Sequence, residues 1–190
     1  MARTSLYANG FTIIELMITL AVAAILAVIA VPNFTAIIQD NRLATQVNEL
    51  HATLSLARSE AIKRNNNVTM CRSNDGATCA GNWENGWIVF VDSNADSAID
   101  GEPILRIHGP MSGKNTLRFN QTRVIYAGSG IARGGSNGTY TFCDSRGPNS
   151  ARALIISISG RPRLAFDSNG DGIVDTGSVT TPNNNNVTCP

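Results

Sequence analysis

Hydrophobic and polar positions fall into three successive patterns along the chain. From Phe11 to Val31 nearly every position is apolar or small, and the only charge is a carboxylate near the start, Glu15. About 20 such residues are enough to cross a bilayer as a helix. After Pro32, apolar or small residues recur at Leu43, Val47, Leu50, Leu54, Ala57 and Ala61. Steps of three and four place them on one stripe of a helix. Asp40, Arg42, Glu49, Arg58, Glu60, Lys63 and Arg64 occupy its other faces. The pattern predicts one helix from Phe11 to about Arg64, roughly 80 Å long at 1.5 Å per residue. A membrane half at 11–31 continues into an amphipathic half at 32–64. Pro32 is expected to bend it, and Asn65-Asn66-Asn67 to end it.

From Val68 the period changes to short β runs separated by Gly, Asn and Ser. Candidate strands are Val68–Cys71, Trp87–Val91, Ile104–His108, Thr116–Asn120, Val124–Ala127, Thr139–Cys143, Leu154–Ser159 and Leu164–Phe166. No second helical stripe follows Arg64. The predicted class is α+β: a long N-terminal helix packed on an antiparallel β-sheet head at 65–166, then a polar tail at 167–190.

A charge in a membrane-length segment costs roughly 2.5 kcal/mol or more near its centre, so Glu15 is expected to have a task and a partner. Residues 1–10 are short and polar, with one basic residue, Arg3, and end in Gly10. An ordinary secretory signal loses its apolar core on cleavage. A cut after Gly10 would instead remove only the polar leader and leave Phe11 as a new amino terminus four residues before Glu15. That ammonium and the carboxylate of a neighbouring subunit could then meet.

Gly10-Phe11-Thr12-x-x-Glu15 followed by the apolar run resembles the type IV pilins and the pseudopilins of type II secretion. The resemblance implies a prepilin peptidase that cuts after Gly10 and N-methylates Phe11, and a Glu15 that pairs with the Phe11 amine of an adjacent subunit during assembly. In the head, the resemblance is carried by Leu56-Ala57-Arg58-Ser59-Glu60-Ala61, Gly86-Trp87 with Val89-Phe90 and Asp92, and Thr141-Phe142-Cys143-Asp144 with Arg146-Gly147. With the segment Leu154–Leu164, they resemble the GspH/FimT/FimU family of minor pilins and minor pseudopilins. Cys189 resembles the tail cysteine of the FimU-like members.

Charge adds a second layer. The net charge of +1 conceals a basic stretch from Pro103 to Phe166. It carries nine basic residues (Arg106, Lys114, Arg118, Arg123, Arg133, Arg146, Arg152, Arg161 and Arg163) against one acid, Asp144. Acidic segments flank it, and local fields of this kind matter for partners more than the sum does. Arg161 and Arg163 follow Gly160 and flank Pro162. In an extended chain residues two apart point to one side, so the two guanidiniums could grip successive phosphates of a nucleic acid backbone. Gly-Arg-x-Arg here resembles the motif of DNA-binding FimT proteins of natural transformation. The plainer reading is an edge strand protected by Arg and Pro.

The acidic segments repeat one another: Asp92, Asn94, Asp96 and Asp100 recur as Asp167, Asn169, Asp171 and Asp175. Oxygens at positions 1, 3, 5 and 9, with Gly172 at position 6, follow the calcium-loop pattern, but neither loop has the glutamate of position 12. Calcium is the metal such loops would take, and no other cofactor is expected. The plainer reading is a tight turn that favours Asp and Asn.

Cys71, Cys79, Cys143 and Cys189 allow three pairings. Cys71 and Cys79 bracket a polar loop suited to a local bridge, which would leave Cys143 for Cys189. A zinc site lacks the Cys-x-x-Cys spacing. His51 and His108 stand apart from any nucleophile or metal partner, and no constellation points to an enzyme.

Three functions are therefore open. The first is a minor type IV pilin that supports pilus biogenesis, adhesion and twitching from a position near the tip. The second is a DNA-binding minor pilin of natural transformation, and the third a minor pseudopilin of type II secretion. The resemblance implies other major and minor pilins as partners through the helix. It implies an inner-membrane location before assembly, single-pass with a periplasmic head, and the surface pilus after it.

Overall fold

In the computed structural model, residues 11–177 and 185–190 are described. The expected leader, with Gly10, and residues 178–184 of the polar tail lie outside them. The chain divides into two compact units, Met1–Gln39 and Asp40–Pro190. Helix α1 runs over Ile13–Arg64, so helical backbone continues through position 32.

Within the second unit the predicted stripe is the helix's buried face. Leu43, Leu50, Leu54, Ala57 and Ala61 are fully buried and Val47 nearly so. Gln46, on the same face, donates to the Ser112 carbonyl at 2.9 Å and accepts from Asn115 Nδ2 at 2.8 Å. The helix ends as the asparagine run predicts. Asn65 takes the left-handed conformation (φ 48°). The Asn65 and Asn66 amides donate back to Ile62 and Ala61, which satisfies the last-turn carbonyls in a Schellman arrangement.

Among the described residues nine strands follow: β1 Val68–Arg72, β2 Trp87–Val91, β3 Ile104–His108, β4 Thr116–Arg118, β5 Arg123–Tyr126, β6 Ala132–Arg133, β7 Gly138–Cys143, β8 Arg152–Ile156 and β9 Pro162–Leu164. They form two antiparallel sheets, β3-β2-β1-β5-β6 and β4-β7-β8-β9, where the sequence led us to expect one. The inner faces of both sheets share one core with the helix stripe: Met70, Trp87, Val89, Val124 and Tyr126 from the first sheet, Leu117, Tyr140, Phe142, Leu154 and Ile156 from the second. The turn after β5 meets the turn after β8, where the Ala132 amide donates to the Ile158 carbonyl.

Each sheet also carries a small apolar cluster on its outer face, and a disulfide closes each one. Cys71–Cys79 lies with Ile88, Phe90 and Ile99 outside the first sheet. Cys143–Cys189 lies with Ala151, Ala153, Ile173, Val174 and Val187 outside the second, and holds the C-terminal residues there. Period-2 alternation explains the placement: Phe142 points to the core, so Cys143 points out.

Candidate functional site

The N-terminal segment is the first candidate. Phe11 and Thr12 precede the helix, and Phe11 is 82% exposed. Thr12 caps it: its Oγ1 accepts the Glu15 amide at 3.2 Å and its carbonyl the Leu16 amide at 3.1 Å. Glu15 therefore stands in the first turn, at the third helical position, where the helix dipole favours a carboxylate. This supplies part of the reason the charge is tolerated. The motif names Thr12 without a role, and Thr-x-x-Glu before an apolar run is also a helix-start signal. The carboxylate is exposed, and so are the large apolar side chains from Phe11 to Ile38. The helix is long and apolar enough to cross a membrane.

The second candidate is the arginine edge. Gly160 closes the β8–β9 turn with its amide donating to the Ser157 carbonyl at 2.8 Å, at a φ of 77°. A Cβ there would stand 2.3 Å from the Gly130 carbonyl oxygen, so only glycine fits where the two sheets meet. β9 begins two residues earlier than the predicted Leu164–Phe166. Pro162 is its first residue and β9 is an edge strand, the place a sheet tolerates proline. Arg163 lies opposite Ile155 on the outer face, with Nη2 beside Gly177. Arg161 and Arg163 are both exposed, and no ion pair among the described residues includes either.

Of the nine basic residues in the stretch, Arg146 alone is ion-paired among the described residues. It holds Asp144 at 2.7 Å and reaches Asp40 of the helix at 2.9 Å. Burial pushes the Asp144 carboxyl up, but the hydrogen bonds from Arg146 outweigh it and hold the group below the usual carboxylate range. Asp75, in the Cys71–Cys79 loop, is held far below that range by the Ala77 and Thr78 amides and the Thr78 and Ser73 hydroxyls. A carboxylate whose native pKa is depressed stabilises the fold above its unfolded pKa, and that contribution is lost on acidification. The melting temperature of the chain is therefore expected to hold near neutrality and to decline as pH drops below about 4. A flat profile between pH 7 and pH 2 would contradict it.

The acidic loops fold alike. Asp167 accepts the Gly170 and Gly172 amides, Asp171 the Ile173 amide, and Asp175 the Ser168 amide. In the first loop, Asp92 accepts the Ser97 amide and Asp96 the Ala98 amide. Among the described residues no three His, Cys, Asp or Glu side chains converge tightly enough to hold a metal by themselves.

The family profile described as Type II transport protein GspH matches residues 46–160. The chain belongs to the GspH family. A second profile, the prokaryotic N-terminal methylation motif, matches residues 6–31 of this GspH-family chain. The pilin-like protein PilA1 of Thermus thermophilus is 27% identical over 166 residues, covering 82% of this chain and 97% of its own length. The type IV minor pilin FimU of Pseudomonas aeruginosa PAO1 shares the fold in two crystal forms. One has a TM-score of 0.56 at 24% identity over 67% of this chain and 91% of FimU. The other has 0.53 at 23% identity over 65% and 93%.

Proposed function

We propose that this GspH-family chain is a minor subunit of a type IV pilus. A prepilin peptidase cuts it after Gly10 and methylates the Phe11 amine, and it enters the filament through its N-terminal helix. The observation that carries this reading is the apolar surface left bare from Phe11 to Ile38, on the segment that bears the methylation motif. Such a surface is stable only in lipid or against other helices. Before assembly the helix anchors the chain in the inner membrane with the head in the periplasm. In the filament, neighbouring major and minor pilins replace the lipid, and Glu15 meets the methylated amine of the next subunit. Likeness to FimU and PilA1 and the tied C-terminal tail support the pilus over the secretion pseudopilus. A place near the tip, with roles in adhesion and twitching, completes the proposal. Shearing of intact cells tests it: the chain is expected in the filament fraction, and its confinement to membranes would overturn the reading.

A second reading rests on Arg161 and Arg163, exposed at the sheet edge and outside every ion pair among the described residues. They suit a DNA backbone taken up during natural transformation. In gel shifts over a salt series, the doubly substituted chain (Arg161→Gln, Arg163→Gln) is expected to bind duplex DNA more weakly. Its slope of log affinity against log salt should be shallower by about 2, one unit for each phosphate that is no longer neutralised. Identical curves for parent and variant would remove the site.

A further inference from the structure

Asp92 stands directly after β2 on the outer face of the first sheet, and it is fully buried. Its carboxylate accepts the Thr69 hydroxyl at 2.5 Å and the Ser97 amide at 3.4 Å. No ion pair among the described residues includes it. The same loop contains two further polar atoms that are buried without a hydrogen-bond partner among the described residues, Ser97 Oγ and Glu102 Oε2, and the whole of Ser97 is only 6% exposed. Two hydrogen bonds link Ser97 and Glu102 to Asp92 and to its neighbour. The Ser97 amide binds Asp92, and Glu102 Oε1 accepts the amide of Ser93, the neighbour of Asp92, at 2.6 Å. A buried carboxylate with no cation, a second carboxylate at the same end of the loop and an orphaned hydroxyl are each unfavourable alone. Together they are a set of hard oxygen donors lacking a counter-cation.

We propose that the Asp92–Glu102 loop binds a calcium ion between the Asp92 and Glu102 carboxylates, with Ser97 Oγ as a third donor. The donors are all oxygen, which selects a hard cation over zinc or copper. Calcium takes six to eight oxygens in flexible geometry, whereas magnesium demands a near-ideal octahedron and keeps its waters. Loop carbonyls and water complete the shell. With two carboxylates and no third acid converging among the described residues, the affinity falls in the weak class of extracellular modules, about 0.1–1 mM. The ion has a mechanical consequence. Ile99 of this loop packs on the cluster of Phe90, Ile88 and the Cys71–Cys79 bridge, so binding fastens the loop over the outer face of the sheet. Ala95 and Ser97, both at positive φ without being glycine, are then held by the ion as well as by their neighbours.

The test is calcium titration of the full chain in detergent micelles, by calorimetry and by thermal melting, with magnesium as the comparison ion. Saturable calcium binding with a raised melting temperature is expected, and a weaker magnesium response. Ser97→Ala and Glu102→Gln should each weaken the calcium affinity of this site at least tenfold while the calcium-free circular dichroism stays native. Asp167→Asn with Asp171→Asn, in the other loop, should leave this site's affinity unchanged. Asp92→Asn removes the uncompensated charge, so it should abolish the response and raise the melting temperature of the calcium-free chain. Absence of saturable binding up to about 10 mM calcium, tenfold above the expected range, overturns the proposal. So does binding whose affinity and stoichiometry survive Glu102→Gln.

Discussion

A Glu15→Val chain is expected to remain in the membrane and to be depleted from filaments by about a hundredfold or more, measured as the ratio of the chain in sheared filaments to that in membranes. Membrane insertion should not suffer, because the substitution removes the only charge between Phe11 and Val31 and makes the span more apolar. Assembly should suffer, because the proposed partner is the amine of a neighbouring Phe11. In the filament core that amine would be left without its counter-charge, and breaking a buried pair from one side costs about 3–5 kcal/mol, or a hundredfold and more in an equilibrium. Glu15 also sits in the first turn of α1, after the Thr12 cap. Loss of a favourable dipole interaction costs only about 0.3–1 kcal/mol, so a purely helical role predicts less than a tenfold effect. Glu15→Gln separates the two roles further: it keeps a capping side chain but not the charge, and it should fail in assembly almost as badly as valine.

The second large effect concerns the tail. Cys143 and Cys189 enclose a separation of 46 residues, against 8 for Cys71 and Cys79. Loop-closure entropy assigns about 4 kcal/mol to the longer bridge and about 2.5 kcal/mol to the shorter one. The longer bridge also holds Val187, Ile173 and Val174 on the outer face of the second sheet. Replacing Cys143 and Cys189 by alanine is therefore expected to lower the melting temperature by roughly 10 °C and to expose the C-terminal residues to protease. Replacing Cys71 and Cys79 should cost less. Equal losses, or a larger one for the short loop, would show that packing rather than chain entropy sets the order.

Periodicity made most of the fold legible. The six stripe residues from Leu43 to Ala61 are the buried face of α1, because a 3.6-residue repeat leaves one way to turn an amphipathic helix. Ile104–His108 and Trp87–Val91 are strands at the predicted bounds. The division into two sheets was not legible, since alternation reports which residues face a core and not which strands pair. β6, with two residues, is too short to carry a pattern. The start of β9 at Pro162 was hidden because proline argues against a strand unless its edge position is known.

The candidate sites divide in the same way. Glu15 is conspicuous as a charge in an apolar run, whereas Thr12, legible as part of the same motif, shows its capping role only through its hydrogen bonds. Arg161 and Arg163 were visible as a motif, but their standing outside the ion pairs of the described residues is a tertiary fact. Asp92 is legible as the first position of a calcium-type repeat, with a tight turn as the plainer reading. Its complete burial, and the orphaned Ser97 and Glu102 atoms of the same loop, are tertiary facts of a loop whose Ile99 packs on Phe90.

The most direct test of the central claim is the mass of the chain's N-terminal peptide, recovered from filaments sheared off intact cells. The account predicts a peptide that begins at Phe11, carries one methyl group on its amine and lacks residues 1–10. A filament-borne chain that still carries residues 1–10, or that begins anywhere other than Phe11, would contradict it.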